Sequence, residues 1–282
     1  MIKTRVFPEH NYKGIHFNGK TIRIALDPTK PITELKYPEF YDVKVTSYCE
    51  GACGFCYMNS LPTVKHVPDV IDRFNGFFGR FTPNQLPFQL AWGGGSCESH
   101  PAFIDLLRAS NKLGITPNYT TNGMWTRDLR CGILEATKEL CGGVAVSTHP
   151  HLEKYWRAAT EAYLSENIHT NLHVIIGARN SIDTFAELYK EFTGRIKYFV
   201  LLPLSAQGRS TEEFSDWDYL KSKIDGSPSD VAFGANFHPY LVKDKGRFNV
   251  SLYDPESMSA YLDLETMKVY KSSFSSEERT IG

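Results

Sequence analysis

The sequence is short of several things. No apolar run approaches the roughly 18 residues needed to span a bilayer. The first residues, MIKTRVFPEHNYKG, hold no apolar stretch of the kind a secretory leader carries. A cytoplasmic protein with reduced thiols is therefore expected. Charge of one sign is also missing: 31 basic residues stand against 32 acidic ones. Such balance gives no footprint for duplex nucleic acid or an anionic membrane. There is no internal repeat and no low-complexity segment. Cysteine is scarce, with six in the chain, none after Cys141 and a single C-x2-C pair. A structural zinc site built from two paired halves has no second half here.

What is present reads as one α/β domain. A chain of 282 residues can bury a sizeable core and suits a barrel-like domain with small extensions. From Tyr41 onward, short runs rich in Val, Ile, Leu, Tyr and Phe alternate with segments of helical periodicity. Strands are expected at 41–48, 88–92, 115–121, 143–148, 169–176 and 198–204, short as buried parallel strands are. Between them, Pro101 opens a helix and Gly114 follows it. Ser181 caps another that Gly194 stops. Ser210 with Glu213 fits a capping box before FSDWDYL. Strand–helix repetition favours a parallel sheet with right-handed crossovers.

Six such units predict an incomplete (β/α)6 TIM-like barrel over residues 41–225, with an N-terminal extension over 1–40 and a C-terminal extension over 226–282. In the first extension TIRIAL (21–26) reads as an edge strand, and Pro28, Pro31 and Pro38 break the rest. In the second, FNVSLY (248–253) and SAYLDL (259–264) read as short strands before a polar tail, SSFSSEERTIG. Such a tail is disordered unless it docks.

The chemistry is concentrated in TSYCEGACGFCYM, residues 46–58. Cys49, Cys53 and Cys56 form a C-x3-C-x2-C pattern directly after a strand, at the mouth of the sheet, where α/β proteins place their sites. Gly51 and Gly54 let this loop bend around a bulky object. Three readings compete: buried small hydrophobes, a zinc site, and a 4Fe–4S cluster held at three corners with one iron open. Glu50, Gly51 and Gly54 are unlike core. Cys97, Cys131 and Cys141 are scattered and supply no paired fourth ligand.

With Phe55 before its last cysteine, the pattern resembles that of the radical S-adenosylmethionine (radical SAM) enzymes. The resemblance implies a cluster on Cys49, Cys53 and Cys56 whose open iron is chelated by SAM. An electron donor such as flavodoxin or ferredoxin reduces it. SAM is then cleaved to a 5′-deoxyadenosyl radical that takes hydrogen from a substrate. WGGGSCESHP (92–101) resembles the family's Gly-Gly-Glu-Pro segment, which meets the SAM amine, and this implies that Gly93, Gly94, Gly95 and Ser96 help seat SAM. With Gly94 and Gly95 at the family's glycines, Ser96 stands at the acidic position, Cys97 at the proline position and Glu98 two residues late, so the amine contact falls to backbone carbonyls, to Ser96 or to Glu98.

NYTTNGM, VAVSTHP, LHVIIG and VLLPLSAQGR resemble the third to sixth strand ends in the family's order. By that resemblance Ser147 touches the SAM ribose and Ile176 packs on adenine. The P-L-x-x-x-G-R pattern of the last segment recurs in members that modify peptides. A peptide or protein side chain is therefore the expected substrate, with a small metabolite or nucleoside as the alternative. From another class, the alternative is a non-catalytic iron–sulfur or zinc binding module. YLDLETMKVYKSSF (261–274) resembles the strand pair of a SPASM or twitch extension. Ser272 stands there for the cysteine and Lys271 for the proline, so a single cluster is expected. Cys97 as a redox or relay thiol, Arg209 as a carboxylate ligand, and His149 and His173 as site groups each compete with a structural reading. For His173, inside an apolar strand, the structural reading is the stronger.

Overall fold

The computed structural model describes residues 2–128, 132–224, 229–244 and 255–282. Two sheets organise them. The smaller is an antiparallel meander of β1 (Lys3–Phe7), β2 (Tyr12–Phe17) and β3 (Lys20–Ala25). Asn18 and Gly19 both have positive φ, 48° and 73°, and make the two-residue turn between β2 and β3. The edge strand expected at 21–26 is β3, and β1 and β2 are two strands more than expected. Arg5 ties this sheet to the main body through the backbone carbonyls of Tyr37, Pro38, Asn84 and Gln85.

The main sheet holds β4 (Phe40–Thr46), β5 (Gln89–Gly94), β6 (Thr116–Thr121), β7 (Gly143–Ser147), β8 (Thr170–Ile176), β9 (Tyr198–Pro203), β10 (Val231–Phe233), β11 (Ser259–Asp263) and β12 (Lys268–Tyr270). Their order is β10-β9-β8-β7-β6-β5-β4-β11-β12. Every neighbouring pair is parallel except β11 with β12. The crossovers carry α1 (Val70–Phe78), α2 (Phe103–Lys112), α3 (Ile133–Leu140), α4 (Glu153–Ser165), α5 (Arg179–Phe192), α6 (Trp217–Lys223) and α7 (His238–Lys243). The six expected strands are β4 to β9, in sequential order, as in an incomplete barrel. β10 and β11 extend the parallel sheet on either side.

Alternation along the strands decides the two faces. Tyr41, Val43 and Val45 of β4, Leu90 and Trp92 of β5, and Leu172, Val174 and Ile176 of β8 are buried against the helices. The residues between them, among them Asp42, Ala91, His173 and Ile175, face the other way and line a cavity. The strands are therefore not apolar throughout, because their inner face borders a cavity rather than a packed core.

Three expected helix signals are displaced. Pro101 lies in the turn before α2, next to Ala102, the residue preceding the helix. Ser181 sits within the first turn of α5, where its hydroxyl donates to the Ala178 carbonyl and accepts from the Gly177 N–H. Ser210 and Glu213 start no helix: α6 begins at Trp217, and the Ser210 hydroxyl serves a local turn with Glu212. The chain before α6 is held elsewhere by Arg209, as described below.

The polar tail docks. Arg279 is buried and donates to the carbonyls of Leu35, Glu256 and Ser259. The expected strand FNVSLY, Cys131 and the boundary at 225–226 lie outside the described residues. Among the described residues no helix is long and apolar enough to cross a membrane.

Candidate active site

A cavity of about 370 Å³ opens inside the curve of the main sheet, and Cys49, Cys53 and Cys56 all line it. None of the three is in a disulfide; Cys53 is buried and the other two are half-buried. Burial pushes the Cys53 thiol up to about 12, and the neighbouring Cys49 and Cys56 add to the shift. Three thiols gathered in this way would be held as thiolates only with a positive centre among them. Among the described residues, no group of three or more His, Cys, Asp or Glu is arranged to hold a single metal ion.

The cysteine loop is fixed from two sides. Arg209 reaches across from the segment after β9. Its Nε and Nη2 donate to the Cys53 carbonyl at 2.9 and 2.7 Å, and Nη2 also donates to the Ser60 carbonyl at 3.0 Å. Its backbone N–H donates to the Cys56 carbonyl at 3.1 Å. Gly208 makes this approach possible. Its φ is +65°, and a Cβ there would lie 2.4 Å from the Cys56 carbonyl oxygen. Arg209 is thus a clamp on the loop through Nε and Nη2, while its buried Nη1 has no hydrogen-bond partner among the described residues.

From the other side, the end of β5 packs against the root of the loop. The Gly95 N–H donates to Thr46 O at 2.7 Å and the Ser96 N–H to Tyr48 O at 2.8 Å. A Cβ on Gly95 would lie 1.9 Å from Tyr48 O, whereas one on Gly93 would meet nothing within 4 Å. The glycine run therefore divides. Gly94 and Gly95 allow backbone to meet backbone, and Gly93 leaves open space on the cavity side. Ser96 does not line the cavity. Its hydroxyl donates to the Cys49 sulfur at 3.4 Å, and the Asn122 amide donates to the same sulfur at 3.6 Å and to the Ser96 oxygen at 3.2 Å. Glu98 is buried behind it, accepting from the Thr121 hydroxyl at 2.7 Å.

Ser147, at the end of β7, lines the cavity, as does Phe55, whose ring meets His149 edge-on at 5.1 Å between centroids. His149 and His173 both face the cavity, and burial lowers each to about 4, so both are neutral at pH 7. His173 reaches the cavity because its strand is apolar on one face only. Ile176 is a correction to the expected adenine contact. It is fully buried against the helices, and the cavity residue is Ile175, because one step along a strand changes the face. Cys97 takes the structural reading. Its thiol is enclosed in the core, turned toward the carbonyls of Trp92 and Thr120, without access to the cavity.

Residues not singled out from the sequence complete the walls. Asp42 and Tyr261 face inward from β4 and β11, and Ser272, Ser273 and Phe274 arrive from the tail. Phe274 stacks on Tyr57 at 4.3 Å, and the Tyr57 hydroxyl donates to Ser273 at 3.3 Å. The alternation in YDVKV carried the signal for Asp42, an acid at an inward position of a barrel strand.

No protein-family model and no curated protein sequence matches this chain. Solved structures do match in fold. Streptococcus suis SuiB bound to S-adenosylmethionine superposes with a TM-score of 0.66 at 13% identity, over 87% of this chain and 64% of SuiB. SuiB bound to its precursor peptide SuiA gives 0.65 at 13% identity, over 85% of this chain and 60% of SuiB. anSMEcpe with bound AdoMet and the Cp18Cys peptide gives 0.59 at 13% identity, over 85% and 75%. The chain thus spans less than two thirds of SuiB. The fold is the partial barrel shared by these radical SAM enzymes.

Proposed function

We propose that this chain is a radical SAM enzyme that holds one 4Fe–4S cluster on Cys49, Cys53 and Cys56. The observation that carries this reading is the convergence of three unbridged cysteines on one cavity at the mouth of a parallel sheet. The cluster, when bound and reduced by a donor such as flavodoxin or ferredoxin, supplies the electron that cleaves SAM to a 5′-deoxyadenosyl radical.

The chain's own part is to seat, orient and shield. Arg209 and Gly208 fix the cysteine loop by its backbone. Ser96 and Asn122 donate to the Cys49 sulfur, which draws charge from that ligand and tunes the site. Gly93 leaves room for the SAM methionyl group, and Gly94 and Gly95 bring the β5 end close to the loop. Ser147 offers a hydroxyl at the strand end for the ribose. Phe55 and Ile175 add apolar wall that excludes water. Hydrogen would be taken from a substrate bound in the same cavity, and a peptide or protein side chain is the favoured class. Support for that comes from SuiB and anSMEcpe, each solved with a peptide.

Anaerobic purification tests the reading. About four irons and four sulfides per chain, absorbance around 400 nm, and 5′-deoxyadenosine on adding SAM and dithionite are expected. Colourless protein with stoichiometric zinc overturns it.

A further inference from the structure

The inner part of the cavity, below the strand ends, has no assigned role so far. A row of register partners crosses it: Tyr261 on β11 pairs with Asp42 on β4, which pairs with Ala91 on β5. All three line the cavity. Ala91 ends at Cβ and leaves space beside the carboxyl. Tyr57, on the cysteine loop, lines the same cavity. Asp42 makes no hydrogen bond or ion pair among the described residues. Its side chain is exposed, and the exposed surface opens onto the cavity; desolvation by the protein around it lifts its carboxyl to about 7. A carboxyl on a cavity wall without a protein partner is placed to meet a group that a ligand brings.

The surroundings have no positive charge to offer. Among the described residues no lysine or arginine lines the cavity, and His149 and His173 are neutral. Lys44, the next inward position of β4, is engaged by Asp263 at 3.0 Å and Glu265 at 2.8 Å. A phosphate or carboxylate brought beside Asp42 meets like charge. A cation meets a carboxylate with two aromatic rings nearby.

We propose that Asp42, with Tyr57 and Tyr261 beside it, is the recognition point for an organic cation on the substrate: an ammonium or guanidinium group, as a lysine or arginine side chain carries. This rests on the radical SAM reading and narrows its substrate class, placing a cationic group in the cavity that also holds the radical source.

Calorimetric titration of the anaerobically reconstituted holoprotein, with SAM present, tests it. The probes are Nα-acetyl-lysine amide, its Nε-acetyl derivative, Nα-acetyl-glutamate amide and 1,5-diaminopentane. The lysine probe is expected to bind about thirty-fold tighter than the neutral and acidic ones, and Asp42→Asn to erase that preference. Asp42→Ser serves as a second variant if the asparagine does not fold. Tighter binding of diaminopentane than of capped lysine assigns a free amine as the source of the cation, and the reverse assigns a peptide. Both support the cation site. Equal affinity for lysine, acetyl-lysine and glutamate probes overturns it, as does a preference that survives in Asp42→Asn. Iron content and 5′-deoxyadenosine yield of the same preparations report separately on the cluster. A loaded, SAM-cleaving protein without cation preference removes this inference alone.

Discussion

The two halves of the cavity are built by different rules. The upper half comes from the cysteine loop, with its three cysteines and Phe55, and from the ends of strands at Gly93 and Ser147. Its geometry is held by backbone contacts such as Gly95 to Tyr48 and Arg209 to Cys53. The lower half comes from inward positions of strands, Asp42, Ala91, His173 and Tyr261, whose direction follows from period-two alternation. A side chain there can change while the ladder that carries it stays intact. On the proposed function, cluster binding and substrate choice would draw on different parts of the chain, although Ser147 and His173 are register partners and join the two.

The sharpest way to break that separation is at the cysteines. Cys53→Ala should reduce bound iron to background and lower 5′-deoxyadenosine yield by at least about a hundred-fold. Cation binding at Asp42 should survive in the same variant to a measurable degree. A cluster retained at full occupancy removes Cys53 from the ligand set.

Next in size is the contrast within the glycine run. Gly95→Ala forces a Cβ to within 1.9 Å of a backbone oxygen, and should cost about 3 kcal/mol, or roughly 5–10 °C in melting temperature. Gly93→Ala meets nothing within 4 Å and should leave melting within about 1 °C, while raising the KM for SAM about ten-fold. Equal melting losses in both variants would reduce the run to a turn. Arg209→Ala should cost about 2 kcal/mol through the unpaired carbonyls of Cys53 and Ser60 and speed iron loss to a chelator. Arg209→Lys should recover only part, since one ammonium does not reproduce the fork.

The upper half was largely legible in the sequence, because its chemistry sits in short local motifs. The cysteine spacing and the ordered strand ends marked the partial barrel that the solved structures share. What a local motif cannot state is direction and distance. Ile176 and Ile175 are equally apolar, and only the inward orientation of His173 shows which of them meets the cavity. Arg209 looked free because its partners lie about 150 residues away, at Cys53 and Ser60. β11 joins β4 from the far end of the chain, a pairing that no periodicity reveals. The N-terminal meander did leave a signal in Asn18-Gly19 between alternating residues, outweighed by the prolines that follow it.

The smallest expected effect probes the lower half through His173. Burial holds its folded-state pKa at about 4, against about 6.5 in the unfolded chain. Between those values the unfolded state binds more protons, so the stabilising contribution is fully present above about pH 6.5 and is lost as pH falls toward 4. Because His173 faces cavity water, the loss should be on the order of 1–2 kcal/mol. His173→Gln cannot take that proton, so its melting temperature should fall less steeply from about pH 7 to about 4.5. His149, lowered in the same direction by burial and by its neighbours His151 and His173, remains in the variant, so the slope should shrink without vanishing. An unchanged slope means that His173 is hydrated well enough to titrate normally.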